Sequence, residues 1–521
     1  MATSGAPGAG DAQGQSRGWF RGNRDSSEEL RKATSHPASV EHILRESAYN
    51  PQPTLVPPPI AALGGNQGDM HVVVIIGLPE VGKPFLAQRM NQYLRFFHGA
   101  DCKLFDVCEF ISDDDDVDES ARALSARVRK WIRGARSDGE GKAAEGVDGD
   151  VYRGQKVVDS GRCAILYGSD SYAAFGHKWS GSSKERRRWI SEQVRGMAPE
   201  AKLIFIEVRV NDPALLHANI RNKRSALGLE TTPEDLRREA DRVRDFAKYY
   251  VTLQDDGSED DLNYVVFVNY GQKVITNRMH GFLRMRIAQF LSAVHTERHS
   301  IYITRHGQSE YNRLGKIGGN SGLTELGQEY AVRLGKFAAE RVCREDGAEV
   351  NKARLWTSSL RRTNDTARHI PHPVISVEGQ QWTQMSHRVY RALDEIFAGE
   401  YEGLTYEEIA ERHQDEAFLR KKDKIGYRYP RGESYFDIIS RLDPLIHELE
   451  SYHEPILVVS HQAVLRIIYA YFMGLDRMEA TKVEIPLHAV IRLTYDGWCR
   501  CEKEVFDLGP QVNRNQSDGC T

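Results

Sequence analysis

Two segments of this chain place histidine where it can do chemistry. In Arg305-His306-Gly307-Gln308-Ser309-Glu310-Tyr311-Asn312, a cation, an imidazole and a flexible backbone follow the run Ser300-Ile301-Tyr302-Ile303-Thr304. Far downstream, Pro455-Ile456-Leu457-Val458-Val459-Ser460 ends in His461-Gln462-Ala463. Both apolar runs have the length and β-branched content of buried strands. A lone histidine at a strand end is more often structural than catalytic. Two strands each ending in histidine, the first beside arginine, suit a pocket for a phosphoryl group, because ligands of an open α/β sheet collect at the carboxyl ends of its strands. A third segment, Gly77-Leu78-Pro79-Glu80-Val81-Gly82-Lys83-Pro84, has the Gly-x-x-x-x-Gly-Lys spacing of a phosphate loop. Gly77, Gly82 and Lys83 would cradle nucleotide phosphates with backbone N–H groups and an ammonium.

An α/β framework has to position these segments. The loop follows the strand-like run Val72-Val73-Val74-Ile75-Ile76, and Leu86, Met90, Leu94 and Phe97 behind it keep helical spacing. Further strands are expected at 103–107, 163–167, 202–208 and 264–268, alternating with helices, so residues 70–297 should form a mostly parallel, P-loop NTPase-like sheet. Residues 298–508 should form a second α/β domain, with helices over 324–341, 360–369 and 435–452, a strand at 354–357, and closing strands near 489–494 and 501–505. Residues 1–69, rich in Gly, Ala, Ser and Pro, read as a disordered arm with one helical piece near 40–49, and 509–521 as a polar tail. The stretches 113–116 and 137–150 read as loops of an insertion.

Bulk properties exclude several classes. Among 521 residues, 70 Lys+Arg stand against 74 Asp+Glu, so global charge favours neither nucleic acid nor an anionic membrane, and any anion site must be a local cluster. The seven cysteines lack metal-ligand spacing and read as reduced thiols, with Cys499 and Cys501 on one face of a strand. With no apolar run of about 18 residues and no signal-peptide core, a cytoplasmic location is expected.

The two histidine motifs together resemble the histidine phosphatase superfamily. With Ala392-Leu393-Asp394-Glu395-Ile396, Leu404-Thr405-Tyr406-Glu407-Glu408-Ile409 and Tyr427-Arg428-Tyr429-Pro430-Arg431-Gly432-Glu433-Ser434-Tyr435 in order between them, residues 298–508 resemble the bisphosphatase half of the 6-phosphofructo-2-kinase/fructose-2,6-bisphosphatase family. Residues 70–295 resemble its kinase half more loosely. The implied fold is a P-loop kinase domain followed by a phosphoglycerate mutase-like phosphatase domain.

The resemblance makes His306 the nucleophile that becomes phosphohistidine. Arg305 and Arg362 would grip the phosphoryl oxygens with planar forks, and His461, as imidazolium, would steady the transferring group. Asn312 and Gly318 would add contacts to it. Glu395 would be the general acid, its pKa raised by Leu393, Ile396 and Phe397; the family usually carries Asp where Phe397 stands, and Glu where Gln308 stands. Tyr406, Arg420, Lys424, Tyr435, Gln462 and Arg466 would hold the sugar and its distal phosphate. The implied substrate is fructose 2,6-bisphosphate, with no cofactor for the phosphatase. A homodimer is left open.

The kinase half departs from its family in three places. Pro84 replaces the Ser or Thr whose hydroxyl binds Mg²⁺, Tyr167 replaces an Asp after the strand Cys163-Ala164-Ile165-Leu166, and the family's Asn-Phe-Phe-Arg-Pro substrate segment is not recognisable. ATP and Mg²⁺ are therefore expected to be held weakly, if at all. The expectation is a fructose-2,6-bisphosphatase with a degenerate kinase half. The alternatives are a bifunctional enzyme, in which Asp170 rescues the metal, and a non-catalytic regulator that binds metabolites.

Overall fold

The structure, a computed structural model, describes residues 70–111, 117–134, 161–168, 172–254, 256–344, 351–377, 379–496 and 501–510. The expected amino-terminal arm, the insertion loops at 113–116 and 137–150, Asp170, Cys499 and most of the polar tail lie outside the described residues.

Six strands form the first sheet: β1 (His71–Gly77), β2 (Asp101–Asp106), β3 (Arg162–Tyr167), β4 (Lys202–Arg209), β5 (Tyr264–Val268) and β6 (Lys273–Asn277), in the order β2-β3-β1-β4-β5-β6. All neighbours are parallel except β5 and β6, and β6 was missed in the sequence because its five residues, none fully buried, form neither an apolar run nor a strict alternation. The chain turns outward in both directions from β1, so the phosphate-type loop after Gly77 sits at the switch point. Helix α1 (Lys83–His98) follows, and Leu86, Met90, Leu94 and Phe97 are all buried, as their spacing requires. Helix α2 (Val117–Arg133) packs on the opposite face of this sheet from α1, and α3 (Phe282–Ala293) closes the half.

The second sheet contains β7 (His299–Arg305), β8 (Arg354–Thr357), β11 (Ser386–Val389), β12 (Ile456–Ser460), β13 (Ala489–Tyr495) and β14 (Cys501–Asp507), ordered β11-β8-β12-β7-β13-β14. A small hairpin, β9 (Val374–Val377) with β10 (Gln380–Thr383), stands beside it. Strands β7, β12 and β8 run parallel, so three carboxyl ends open on one edge. Helices α4 (Arg361–Ala367), α5 (Tyr406–Arg412), α6 (Gln414–Lys422), α7 (Tyr435–Glu450) and α8 (Gln462–Phe472) carry Arg362, Tyr406, Arg420, Tyr435, Gln462 and Arg466, while Asn312, Gly318, Glu395 and Lys424 lie outside them.

One apolar core runs through both halves, joining Phe85, Met90 and Phe97 of α1 to Ile446, Leu449 and Tyr471 from α7 and α8. Polar contacts inside this junction fix its register. Arg89 pairs with Glu450, both side chains 4% exposed, and Tyr471 Oη donates to the same carboxylate at 2.8 Å. Tyr93 donates to Asp443 at 2.8 Å while its ring stacks on Phe290 at 4.6 Å. Removing one member of a buried pair strands the other's charge in a low-dielectric interior. Arg89→Ala is therefore expected to cost about 3–5 kcal/mol in denaturant unfolding. A loss below 1 kcal/mol would show that the pair contributes no more than an exposed one.

Candidate active site

Strand register brings the two histidines together. Arg305 on β7 is the ladder partner of Ser460 on β12, so the next residues, His306 and His461, emerge side by side with ring centroids 5.1 Å apart. The His306 N–H donates to Ser460 O at 3.0 Å, locking the two strand ends. Thr357 ends β8 on the other flank of β12, which places Ser358 beside His461.

The hydrogen bonds fix both tautomers. His306 Nδ1–H donates to Gly307 O at 2.7 Å, leaving the Nε2 lone pair to accept from Arg362 Nε at 3.1 Å. His461 Nδ1 accepts from the same Arg362 Nε at 3.3 Å, and its Nε2–H points to Ser358 Oγ at 2.7 Å. Burial first, then the Arg362 guanidinium, hold both imidazoles well below their usual pKa, so both are neutral at pH 7. This suits His306 as a nucleophile. It corrects the expectation for His461: an imidazolium cannot accept from Arg362, and this fully buried ring stands behind Arg362 and His306 instead of reaching the cavity wall.

Arg362 is the hub of the site. It enters at the start of α4, is 4% exposed, and donates from Nη1 to Gly319 O at 2.6 Å. That carbonyl is held by a turn in which Gly319 N and Ala398 N both donate to the Glu402 carboxylate. Gly318, with φ 66°, has no alternative there, since a Cβ would fall 2.2 Å from Glu402 Oε1. Neither Glu402 nor Ser358 stood out in the sequence. The signal was present for Ser358, which completes a third strand ending at the same sheet edge.

Arg305, His306, Asn312, Gly318, Arg362, Glu395, Tyr406, Arg420, Lys424, Tyr435, Gln462 and Arg466 all line one cavity of about 240 Å³. Asn312 spends its carbonyl on a capping box, accepting from Ser309 N and Oγ at 3.1 and 3.0 Å. Glu395 Oε1 accepts the N–H groups of Ile396 and Ala463 at 3.0 and 3.2 Å. Its apolar setting is only half realised: Leu393 is buried, but Phe397 turns to solvent at 52% exposure because Glu433 takes its backbone N–H at 3.0 Å. Arg441, unnoticed in the sequence, braces this segment by donating to Asp394 O at 2.6 Å.

At the far end of the cavity Arg420 donates to Tyr429 Oη and Tyr406 Oη, each at 2.9 Å, and lies over the Tyr406 ring at 4.3 Å. Arg466 donates to Tyr435 Oη at 3.0 Å and to Val483 O at 2.6 Å. Lys424 donates to Thr481 O at 3.1 Å; burial, then Arg466 and Arg420, press its pKa down to about 8. With Lys316, six cations line the cavity against one carboxylate, Glu395, so it is built for an anion with charge at both ends. Tyr429 was quoted in a motif but given no role by the sequence.

In the first half, Lys83 is buried and donates to Leu78 O at 2.6 Å, within its own loop. Glu80, at φ 64°, pairs with Lys223 at 2.5 Å. Pro84 occupies the first turn of α1 without strain, and Tyr167 ends β3. At the positions expected to serve Mg²⁺ the described residues thus offer a proline and a phenol, which do not fit that ion.

Comparison with known proteins gives two family matches: residues 301–505 match the histidine phosphatase superfamily (branch 1), and residues 179–298 match 6-phosphofructo-2-kinase. The 6-phosphofructo-2-kinase/fructose-2,6-bisphosphatase of Caenorhabditis elegans is 33% identical over 442 residues, covering 84% of this chain and 89% of that protein. Its namesake from Gallus gallus is 30% identical over 494 residues, covering 91% and 90%. The fructose-2,6-bisphosphatase of Saccharomyces cerevisiae is 32% identical over 437 residues, covering 82% and 87%.

Proposed function

The chain belongs to the 6-phosphofructo-2-kinase/fructose-2,6-bisphosphatase family, with a kinase-type and a histidine phosphatase segment, and we propose that it is a fructose-2,6-bisphosphate 2-phosphatase whose kinase-like half does not turn over. The observation that carries this reading is Arg362, which joins the Nε2 lone pair of a neutral His306 to a cavity whose far end is a second cation cluster. His306 Nε2 forms a bond to the 2-phosphorus as the P–O bond to the sugar breaks. Glu395 gives the leaving oxygen its proton, and water then hydrolyses the phosphohistidine, regenerating the imidazole. Arg305 and Arg362 stabilise the charge spreading over the phosphoryl oxygens. Tyr406, Arg420, Lys424, Tyr435, Gln462 and Arg466 hold the sugar and its 6-phosphate.

Pro84, Tyr167 and the internally bonded Lys83 support an inactive kinase half. One observation favours the bifunctional reading: Asp106, at the carboxyl end of β2, is the ladder partner of Tyr167 and brings a carboxylate to that edge. It already caps the next turn by accepting from Cys108 N at 3.0 Å.

The test is release of phosphate from fructose 2,6-bisphosphate by the purified chain without added metal. Arg420→Ala or Lys424→Ala should lower kcat/KM on this substrate about 10–100-fold, the worth of a hydrogen bond to a charged group, while barely changing hydrolysis of an aryl monophosphate. Equal losses on both substrates would show that these side chains only maintain the cavity's shape.

A further inference from the structure

A second large cavity, of about 1050 Å³, lies where the two halves meet. It is not part of the phosphate-type loop. That loop sits at the carboxyl end of β1, whereas this groove is bounded by Asp101 and Arg162, the first residues of β2 and β3, at the opposite edge of the same parallel sheet. Nor does it share a lining residue with the phosphatase cavity.

Its chemistry is one-sided. Arg95, Lys103, Arg127, Lys130, Arg162 and Arg477 line it against two carboxylates, Asp101 and Asp476, in a chain whose net charge is −4. Two of the cations reach the carboxylates at long range, Arg162 to Asp101 at 3.7 Å and Arg95 to Asp476 at 3.8 Å. Lys103 and Arg162 each lie 5.3 Å from the centroid of Trp131, within cation–π range, and Arg162 Nη1 also donates to Trp131 O at 2.6 Å, to Ile132 O at 3.3 Å and to Gly134 O at the end of α2. Arg477 crosses from the phosphatase half to lie against Gly99, the left-handed cap of α1, where a Cβ would fall 2.5 Å from its Nη1. There it meets the negative end of the helix dipole. A cleft lined mainly by one sign of charge focuses its field and concentrates counter-ions, here anions.

The groove is tied to the phosphatase cavity by one short segment. Asp476, Arg477 and Met478 line the groove, and the residues that follow supply backbone oxygens to three cations of the other cavity: Thr481 O to Lys424, Val483 O to Arg466 and Ile485 O to Arg305.

We propose that this junction groove is a regulatory site for a small molecule carrying two or more phosphate groups, and that its occupation is transmitted through 476–485 to the cations that grip the phosphatase substrate. An anion drawing Arg477 toward itself displaces the chain that sets Lys424, Arg466 and Arg305. The transmitted effect rests on the phosphatase reading above; binding does not.

The test uses inorganic tripolyphosphate and the full chain. Calorimetric titration should detect two sites, the groove and the phosphatase cavity. Arg127→Glu with Lys130→Glu, two exposed changes on one face of α2, should abolish one site or weaken it at least about tenfold, leaving kcat and KM without the probe unchanged. Saturating the groove should shift KM for fructose 2,6-bisphosphate about fivefold or more, at the low end of typical coupling. Competition in the catalytic cavity is common to both proteins, so the difference between them isolates the groove. Identical titrations of the two proteins would overturn the site, whether or not the chain proves to be a phosphatase. A KM shift of equal size in both would overturn the transmission.

Discussion

His306→Ala should lose phosphatase turnover by at least about 10⁴-fold, because deleting the nucleophile of a concerted catalytic unit removes nearly all that the unit supplies. The structure makes this loss specific. Nδ1 of His306 is committed to Gly307 O, so Nε2 alone can attack, and Arg362 is already bonded to that atom. His461 cannot take over, since it is fully buried with Nε2–H pointing to Ser358 Oγ. Brief mixing with substrate labelled in the 2-phosphate should leave acid-labile label on His306, and none in the alanine variant. The pH profile offers a second check. Burial and the Arg362 guanidinium disfavour the charged imidazole, so its pKa lies below the usual value of about 6.5 and the nucleophilic form survives there. The acid limb of kcat/KM should therefore fall below pH 6.5, and Arg362→Ala should move it upward while lowering kcat about 10²–10³-fold. Label retained by the alanine variant, or an acid limb at an ordinary histidine value, would mean that the attacking atom has been misassigned.

How much of this was legible in the sequence depends on the kind of signal. The strands that carry His306 and His461 are buried along almost their whole length, and such strands read as unbroken apolar runs, so both could be placed to within one residue at each end. Strands β6 and β11, at sheet edges, and β9 and β10, in a separate hairpin, were missed because exposed residues break their apolar pattern. Five of the cavity's six cations, all but Lys316, were named by resemblance, but what orients them was not. Arg305, Lys424 and Arg466 all donate to backbone carbonyls between 481 and 485, and a carbonyl leaves no trace in a residue's identity. The charge state of His461 was misread for a related reason: residue type favoured a cation among phosphate oxygens, whereas the structure surrounds the ring with arginine and removes it from water. Phe397 was expected beside the acid, but Glu433 turns that segment so that the ring faces solvent.

In a His306→Ala background, where product cannot be destroyed by the other half, the chain should make no detectable fructose 2,6-bisphosphate from ATP, Mg²⁺ and fructose 6-phosphate. Phosphoryl transfer depends on positioning and on metal and cations that neutralise the developing charge. Pro84 has neither the hydroxyl that would meet the metal nor an N–H to give to a phosphate, and Tyr167 puts a phenol where the family carries a carboxylate. Lys83 is turned into its own loop, and Glu80, held by Lys223, adds a negative charge to a loop that should attract anions. None of this unfolds the domain: α1 keeps its buried face, and Arg89 and Tyr93 on that helix fasten the phosphatase half through Glu450 and Asp443. On the inactive-kinase proposal, what this half contributes is the junction to the phosphatase half. Pro84→Thr with Tyr167→Asp should restore little synthesis, because the fructose 6-phosphate segment is also unrecognisable. Mg²⁺- and ATP-dependent synthesis in the His306→Ala chain would overturn the inactive-kinase reading and direct attention to Asp106 as the surviving carboxylate at that sheet edge.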